Sequence, residues 1–256
     1  MAQTLTSERS LSRRQADMAR ELAFLKRMRL LEWTGALVCL GAGLLIKLSG
    51  GGIHLLILGL MLVFIALGHE ARRGESAREL AEMEGMRGAK EDLARLLDEK
   101  LANDHFVLND LHLKVGREKC WIDHLVVAPS GMFVLNTLNW SGKIIGDTSR
   151  QARVWKIRGA DGKSRPARNP VGRVLRERRI LCNWLKGTSL IWERVFPVVV
   201  LAHPQAEPAV TNAERRVLTP EQTVTFINDF CFEKPVLSGA EVEKLARGLH
   251  EQADPT

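Results

Sequence analysis

The stretch IDHLVVAPSGMFVLNTLNW, residues Ile122–Trp140, decides the fold of the central part of this chain. Two apolar segments flank the turn Pro129-Ser130-Gly131, a pattern typical of an antiparallel β-hairpin. Asp123 puts a carboxylate inside the first predicted strand. That position indicates either a functional group or an ordinary solvated strand residue, because strands alternate buried and exposed positions.

Short apolar runs and helical periodicities extend this pattern on both sides of the hairpin. The predicted strands cover 106–113, 121–128, 132–138, 154–158 and 195–202, and the later helices begin at Asn169-Pro170, Thr219-Pro220 and Ser238-Gly239. Val195–Ala202 is almost continuously apolar, as expected for a strand buried on both faces. The order of a helix, three strands, a helix, a strand and a helix predicts a mixed α/β domain.

Several motifs in this region resemble the nuclease-related domain (NERD) family, which is similar to the PD-(D/E)xK nucleases. They are FVLNDLHL, IDHLVVAPSGMFVLNT, NWSG, IIGD and a downstream RNP, spread over roughly residues 85 to 230. The resemblance implies a restriction-endonuclease-like α/β fold. It matches Asp123 to the family's strand aspartate and Glu91 to the glutamate of the preceding helix. In an active member these two carboxylates would hold Mg²⁺ or Mn²⁺.

The second half of the active-site motif departs from the family pattern. The family's Glu-Thr-Lys-Asn-Trp reads Asn136-Thr137-Leu138-Asn139-Trp140 here, so a carboxylate and a lysine are replaced. Asn136 offers only a neutral carbonyl ligand, and losing one charge-stabilising group typically costs ~10²–10³ in rate. The substitutions therefore predict weak or absent nuclease activity, unless a cation such as Lys143 or Arg173 replaces the lysine.

A segment without acidic residues precedes this domain. Trp33–Gly68 contains Lys47 as its only full charge, and Gly50-Gly51-Gly52 divides it into two apolar arms of 17 and 16 residues. Each arm would span ~25 Å as a helix, close to the ~30 Å hydrocarbon core of a bilayer. We predict a transmembrane helical hairpin, with a buried hairpin in a soluble protein as the alternative.

The flanks of this hairpin are rich in arginine, which predicts that both ends face the cytoplasm. Four scattered cysteines without a CxxC pair suit a reducing compartment. In the helix after the hairpin, Gly85 and Gly88 are expected breaks. We divide the chain into a basic amphipathic N-terminal helix (1–32), the hairpin (33–69), a connecting helix (70–100), the NERD-like domain (101–232) and a C-terminal helix and tail (233–256).

Positive charge is concentrated in one block. Residues 150–187 hold twelve Lys or Arg against two acidic residues, a local excess of ten that surpasses the net charge of +7 of the whole chain. Such a block predicts contacts with a nucleic-acid backbone, although anionic lipid, an acidic protein or solvent are further possible partners. The predicted phosphate-binding residues are Arg168, Arg173, Arg176, Arg179 and Lys143.

These observations favour a membrane-anchored protein that binds DNA or RNA non-specifically, with weak or absent cleavage. In that interpretation Asp123, Glu91 and Asn136 are remnants of a metal site. One alternative is an active nuclease in which the same three residues hold Mg²⁺ or Mn²⁺. Another is a membrane scaffold whose domain recognises protein or anionic lipid. The sequence makes no prediction of oligomeric state, because no heptad repeat is sustained.

Overall fold

The computed structural model describes residues 3–6, 9–48, 53–149, 151–186, 194–212, 216–231 and 235–253. The strands are β1 (Gln3–Thr6), β2 (Phe106–Val115), β3 (Glu118–Ala128), β4 (Gly131–Leu138), β5 (Gly142–Asp147), β6 (Val154–Arg158), β7 (Ser164–Arg168), β8 (Val195–Leu201), β9 (Ala206–Thr211) and β10 (Arg216–Leu218). The helices are α1 (Arg9–Leu48), α2 (Ile53–Lys100), α3 (Val171–Trp184), α4 (Pro220–Cys231) and α5 (Gly239–Ala253). The chain divides into two compact units, a hairpin unit of residues 9–84 and a domain of residues 1–8 and 85–256.

A six-stranded sheet in the order β1-β2-β3-β4-β8-β10 forms the centre of the domain. β2, β3 and β4 pair antiparallel, whereas β8 joins β4 in parallel after the crossover through α3. β4 is buried at every position, because it lies inside the sheet and both faces of the sheet are covered. The predicted mixed α/β fold is confirmed.

Side-chain alternation along β4 divides the core between the two faces of this sheet. Met132 and Val134 join a cluster that includes residues of α3 and α5. Phe133 and Leu135 face the other way, into a cluster with α4 and the end of α2. Both faces therefore bury apolar side chains under helices, which is the layered arrangement that stabilises α/β domains.

β5, which follows β4 in the chain, belongs to a second, smaller sheet with the strand order β7-β6-β5-β9. Trp155 of β6 is fully buried, and its indole N–H donates to the Asp147 carbonyl at 2.9 Å. The strand predicted at 154–158 is confirmed as β6, which pairs antiparallel with β7. β5 precedes the basic block of residues 150–187 and β9 follows it, and these two strands pair in parallel.

The hairpin unit consists of α1 and the first part of α2, which confirms that both predicted arms are helical. Small residues are buried between them: Ala36 and Ala66 are almost inaccessible, and a Cβ at Gly59 would lie 2.7 Å from the Leu40 side chain. The Gly50-Gly51-Gly52 turn lies outside the described residues. Among the residues that are described, no helix combines the length and apolar character needed to cross a membrane. The predicted transmembrane span is therefore not confirmed.

The expected helix breaks at Gly85 and Gly88 are wrong, because α2 runs without interruption to Lys100. Each helical glycine costs about 1 kcal/mol relative to alanine. Burial of Leu93 and Leu97 in the domain core offsets that cost. Gly85 also permits a close approach, since a Cβ there would lie 2.8 Å from the side-chain nitrogen of Asn139.

Candidate functional site

Asp123 lies in the middle of β3 and is only 3% exposed. The register of β3 and β4 joins His124 to Leu135, and Asp123 and Asn136 occupy the next position along. The side-chain amide of Asn136 donates to Asp123 Oδ2 at 3.0 Å, and the backbone N–H of Thr137 donates to the same oxygen at 3.0 Å. The β3–β4 hairpin thus brings two uncharged hydrogen-bond donors to the buried carboxylate of Asp123.

Two cations from different helices neutralise Asp123. The ammonium of Lys90 in α2 lies 2.7 Å from Asp123 Oδ1, and the guanidinium of Arg173 in α3 lies 3.2 Å from the same oxygen. Burial alone would raise the pKa of Asp123, but these two charges hold the pKa below its ordinary value. Asp123 is therefore an ionised carboxylate with donors on both of its oxygens.

Lys90 also contacts a second aspartate. Its ammonium donates to Asp110 Oδ1 at 3.2 Å. Asp110 lies in β2 opposite Asp123 and has a φ of +50°, in the left-handed region that Asp tolerates better than most residues. Burial would lower the pKa of Lys90, but the two aspartates raise it above its ordinary value. Lys90 is therefore a charged bridge between neighbouring strands.

Glu177 is a second buried carboxylate, one helical turn after Arg173. It is 3% exposed, and Arg173 Nε donates to Glu177 Oε1 at 2.8 Å. Burial raises the pKa of Glu177 to about 7, although the positive charge of Arg173 opposes the shift. Its other oxygen, Oε2, has no hydrogen-bond partner within the part of the chain that is described. Glu177 therefore titrates near neutral pH.

A cleft with a volume of about 490 Å³ opens beside this ionic cluster. Asn136 and Glu177 belong to its lining. The cationic lining residues are Lys119, Arg168, Arg173 and Arg176, and the aromatic ones are Trp121 and Trp140. A mixed lining of aromatic, cationic and buried polar groups is typical of a ligand site.

A second cleft, of about 670 Å³, adjoins the first. The two share Arg168, Asn169, Gly172 and Arg176, so they are neighbouring clefts at the start of α3, and "the groove" below means the two together. Arg153 and Arg179 add positive charge to the second cleft, and none of its described lining residues is acidic or aromatic. Below, "the tryptophan cleft" means the 490 Å³ space and "the arginine cleft" means the 670 Å³ space.

Asn169 fixes the backbone between the two clefts. Its side-chain oxygen accepts from the Val171 N–H at 2.9 Å and caps the start of α3. Its side-chain nitrogen donates to the carbonyls of Ala152 at 2.5 Å and Asp147 at 3.2 Å. The RNP motif is thus explained locally, because the asparagine ties the helix start to the loop before β6.

The predicted metal residues are only partly brought together. Asp123 and Asn136 are in contact, as described above. Glu91 is 57% exposed at its side chain and receives a hydrogen bond from Arg87, whereas the preceding residue, Lys90, reaches Asp123. Successive residues of a helix point about 100° apart, so Lys90 and Glu91 cannot both face the sheet. The structure therefore does not bring Glu91 and Asp123 together.

The predicted phosphate-binding residues are distributed over the groove with one exception. Arg168, Arg173 and Arg176 line the tryptophan cleft, and Arg179 lines the arginine cleft. Lys143 is exposed on β5 and lines neither cleft. Arg173 is also the cation near Asp123 that the sequence suggested as a replacement for the missing lysine.

The donor set around Asp123 does not fit Mg²⁺ or Mn²⁺. These ions prefer several oxygen ligands, of which at least one is usually an additional carboxylate. Here Asp123 already accepts from Asn136, Thr137, Lys90 and Arg173. Across the described ranges, no group of three or more His, Cys, Asp or Glu side chains is arranged to hold a metal ion. Binding such an ion here would require displacing two cations.

Comparison with known proteins supports the resemblance seen in the sequence. Residues 84–202 match the family model of the nuclease-related domain, the family that the motifs of this region resemble. The matched segment contains Lys90, Asp123, Asn136, Arg173 and Glu177. No curated protein and no solved structure matches the chain.

Proposed function

We propose that this chain is a membrane-attached protein whose nuclease-related domain binds the phosphate backbone of nucleic acid without cleaving it. The observation that carries the proposal is the positive charge lining the two neighbouring clefts, which comes from Lys119, Arg153, Arg168, Arg176 and Arg179. Positive charge along a groove binds polyanions by releasing their counterions, so it favours phosphate backbones of any sequence.

Absence of cleavage is proposed from the charges at Asp123. A metal-dependent nuclease needs a carboxylate that is free to bind the ion. The carboxylate of Asp123 is instead paired with Lys90 and Arg173, and its neighbour on β4 is the neutral Asn136. The cluster therefore supports a structural role, in which Asp123 ties two helices to the sheet.

Membrane attachment is proposed from the surface of the hairpin unit. Large apolar side chains are exposed along both helices, including Leu37, Val38 and Leu45 on α1 and Met61 and Phe64 on α2. A surface of this kind is uncommon on monomeric soluble proteins and is typical of membrane or protein contact. Ala36 and Ala66 are buried between the two helices. Small residues at such contacts are typical of helices that pack together in lipid. The arginine-rich flanks favour a cytoplasmic domain.

Binding is tested with the full chain in detergent micelles and a fluorescein-labelled 20-base-pair duplex, followed by anisotropy between 50 and 300 mM salt. We expect an affinity that falls steeply with salt. Arg168→Ala/Arg176→Ala should weaken binding about tenfold or more and lower the salt slope by about 2. Arg158→Ala/Arg165→Ala is the matched control, because both side chains are exposed in the same basic block but line neither cleft.

Equal losses in the two double variants would contradict a role for the groove. No binding by the unaltered chain at 150 mM salt would overturn the proposal and favour the alternative of a membrane scaffold that recognises protein or anionic lipid. Cleavage is tested on plasmid DNA with Mg²⁺ or Mn²⁺, where we expect no cutting. Cutting that disappears in Asp123→Ala would make the protein a nuclease.

Attachment is tested by flotation with liposomes that contain anionic lipid. The unaltered chain should float, and Leu45→Glu/Phe64→Glu should remain largely at the bottom of the gradient. Val154→Glu is the control, because Val154 is an apolar residue of the domain that is also well exposed, at 60%. Similar flotation of both variants would contradict attachment through the hairpin.

A further inference from the structure

We propose that the groove takes single-stranded nucleic acid, with one unstacked nucleotide in the tryptophan cleft and the adjoining backbone in the arginine cleft. The inference rests on the proposed nucleic-acid binding and adds the class of strand to it. Its basis is that a cavity lined by aromatic and buried polar groups lies next to one whose charged lining residues, among those described, are all arginines.

The shape of the groove separates a strand from a duplex. Phosphates of a duplex are reached from a convex or shallow surface, and its bases are hidden by pairing and stacking. The tryptophan cleft is a concave space of about 490 Å³, within the range that encloses small ligands. The arginine cleft begins at the same residues, Arg168 and Arg176, so a chain leaving the first space enters the second.

Among the described lining residues, the aromatic rings all belong to the tryptophan cleft. Trp140 lines the tryptophan cleft and is held edge-on by the buried Trp155, with ring centroids 6.4 Å apart. Trp121, also in this lining, is 45% exposed, and one of its faces stacks on His112 at 4.2 Å. Preorganised indole rings beside cations are the means by which proteins stack the bases of single strands.

Two buried polar groups in the same cleft have unused hydrogen-bonding capacity. Asn136 is 0% exposed and Glu177 is 3% exposed, and both line the tryptophan cleft. Among the described residues, Asn136 Oδ1 and Glu177 Oε2 have no partner. Leaving such atoms unpaired is costly, so they favour a ligand that carries N–H or O–H donors. An unpaired base offers the N–H donors of its Watson–Crick edge, whereas in a duplex those donors are taken by the complementary base.

The test compares labelled 12-nucleotide ligands on the full chain in micelles at 150 mM salt: a single strand, the matching duplex, and a single strand with abasic sites throughout. DNA and RNA strands of one sequence are both used, and preference for either supports the inference. We expect the single strand to bind at least tenfold more tightly than the duplex. The abasic strand should lose about tenfold or more, because it retains phosphates but has no base to stack.

Trp121→Leu and Trp140→Leu should each reduce the single-strand affinity about fivefold or more and reduce the duplex affinity by a clearly smaller factor. Trp121 is half exposed, so its replacement tests the inference even if Trp140→Leu fails to fold. Trp184→Leu is the control, because Trp184 lies on α3 outside both clefts.

Three outcomes overturn the inference. Equal binding of single strand, duplex and abasic strand, with loss only in Arg168→Ala/Arg176→Ala, overturns it and leaves the proposed function intact. Unchanged single-strand affinity in both tryptophan variants does the same. Binding of no ligand at all overturns the inference and the proposed function together.

Discussion

Lys90 Nζ lies 2.7 Å from Asp123 Oδ1, and this contact places a positive charge where a nuclease of the related class would need a metal ion. The ammonium cannot polarise water or a phosphate while it is held by Asp123 and Asp110. It does join α2 to two strands of the central sheet.

Replacing Lys90 tests this relationship most directly. Lys90→Met leaves Asp123 buried with one cation fewer, so we expect the free energy of unfolding to fall by about 3 kcal/mol. Glu91→Gln, at the next position, should change the free energy of unfolding by less than about 0.5 kcal/mol, because Glu91 is exposed and bonded only to Arg87 among the contacts described. Urea denaturation followed by tryptophan fluorescence measures both. A larger loss of stability in Glu91→Gln than in Lys90→Met would show that Lys90 is not the main partner of Asp123.

Asp123→Asn should cost about 3–5 kcal/mol at pH 7, because it leaves two cations without their shared carboxylate. The double variant Lys90→Met/Asp123→Asn should cost less than the sum of the single changes, with a coupling of about 1–3 kcal/mol. A strictly additive cycle would mean that the two groups do not interact in solution.

The stability that Asp123 contributes has a defined pH dependence. The folded pKa of Asp123 lies below its ordinary value of 3.8, so its stabilising contribution is present above pH 3.8 and lost as pH falls through the folded pKa. The difference between the unaltered chain and Asp123→Asn should therefore shrink only in strong acid. A difference that already disappears near pH 6 would contradict the ionised state assigned to Asp123.

Glu177 should show the opposite pH dependence. Its pKa is raised from 4.5 to about 7, so the stability it contributes is fully present below pH 4.5 and is lost as pH rises to about 7. Glu177→Gln removes this loss and should gain roughly 1–3 kcal/mol relative to the unaltered chain between pH 5 and pH 8. Glu243→Gln is the control, because Glu243 is half exposed in a helical pair with Arg247. A pH-independent difference for Glu177→Gln would show that Glu177 stays ionised.

The sequence predicted the hairpin, because alternation and a tight turn are local signals, whereas only the family resemblance grouped Asp123 with Asn136 in one site. It missed Lys90 and Glu177, which act through contacts between elements distant in sequence. Both carried a signal: Lys90 precedes Leu93 and Leu97 at helical spacing, and Glu177 lies between Val174 and Leu181 in the same way. A charged residue on the apolar face of an amphipathic helix indicates a buried ionic partner, but the sequence does not say which one.

Two glycines should respond in opposite ways to replacement by alanine. They are Gly131, in the predicted turn, and Gly88, where a helix break was expected. Gly131 has a φ of +143°, and a Cβ there would lie 2.3 Å from the Arg194 carbonyl oxygen, so Gly131→Ala should cost about 2–4 kcal/mol. Gly88 lies within α2, and a Cβ there would meet nothing within 4 Å. Gly88→Ala should therefore stabilise the protein by up to about 1 kcal/mol.

Thermal and urea unfolding of the two alanine variants measure this contrast. The turn at Gly131 sets the β3–β4 register, so its strain also weakens the contact between Asp123 and Asn136. Destabilisation by Gly88→Ala would mean that α2 is interrupted there, as the sequence suggested. Since Lys90 follows Gly88 by two residues, an interruption would also release the ammonium from Asp123, and the Lys90→Met variant would then lose its effect.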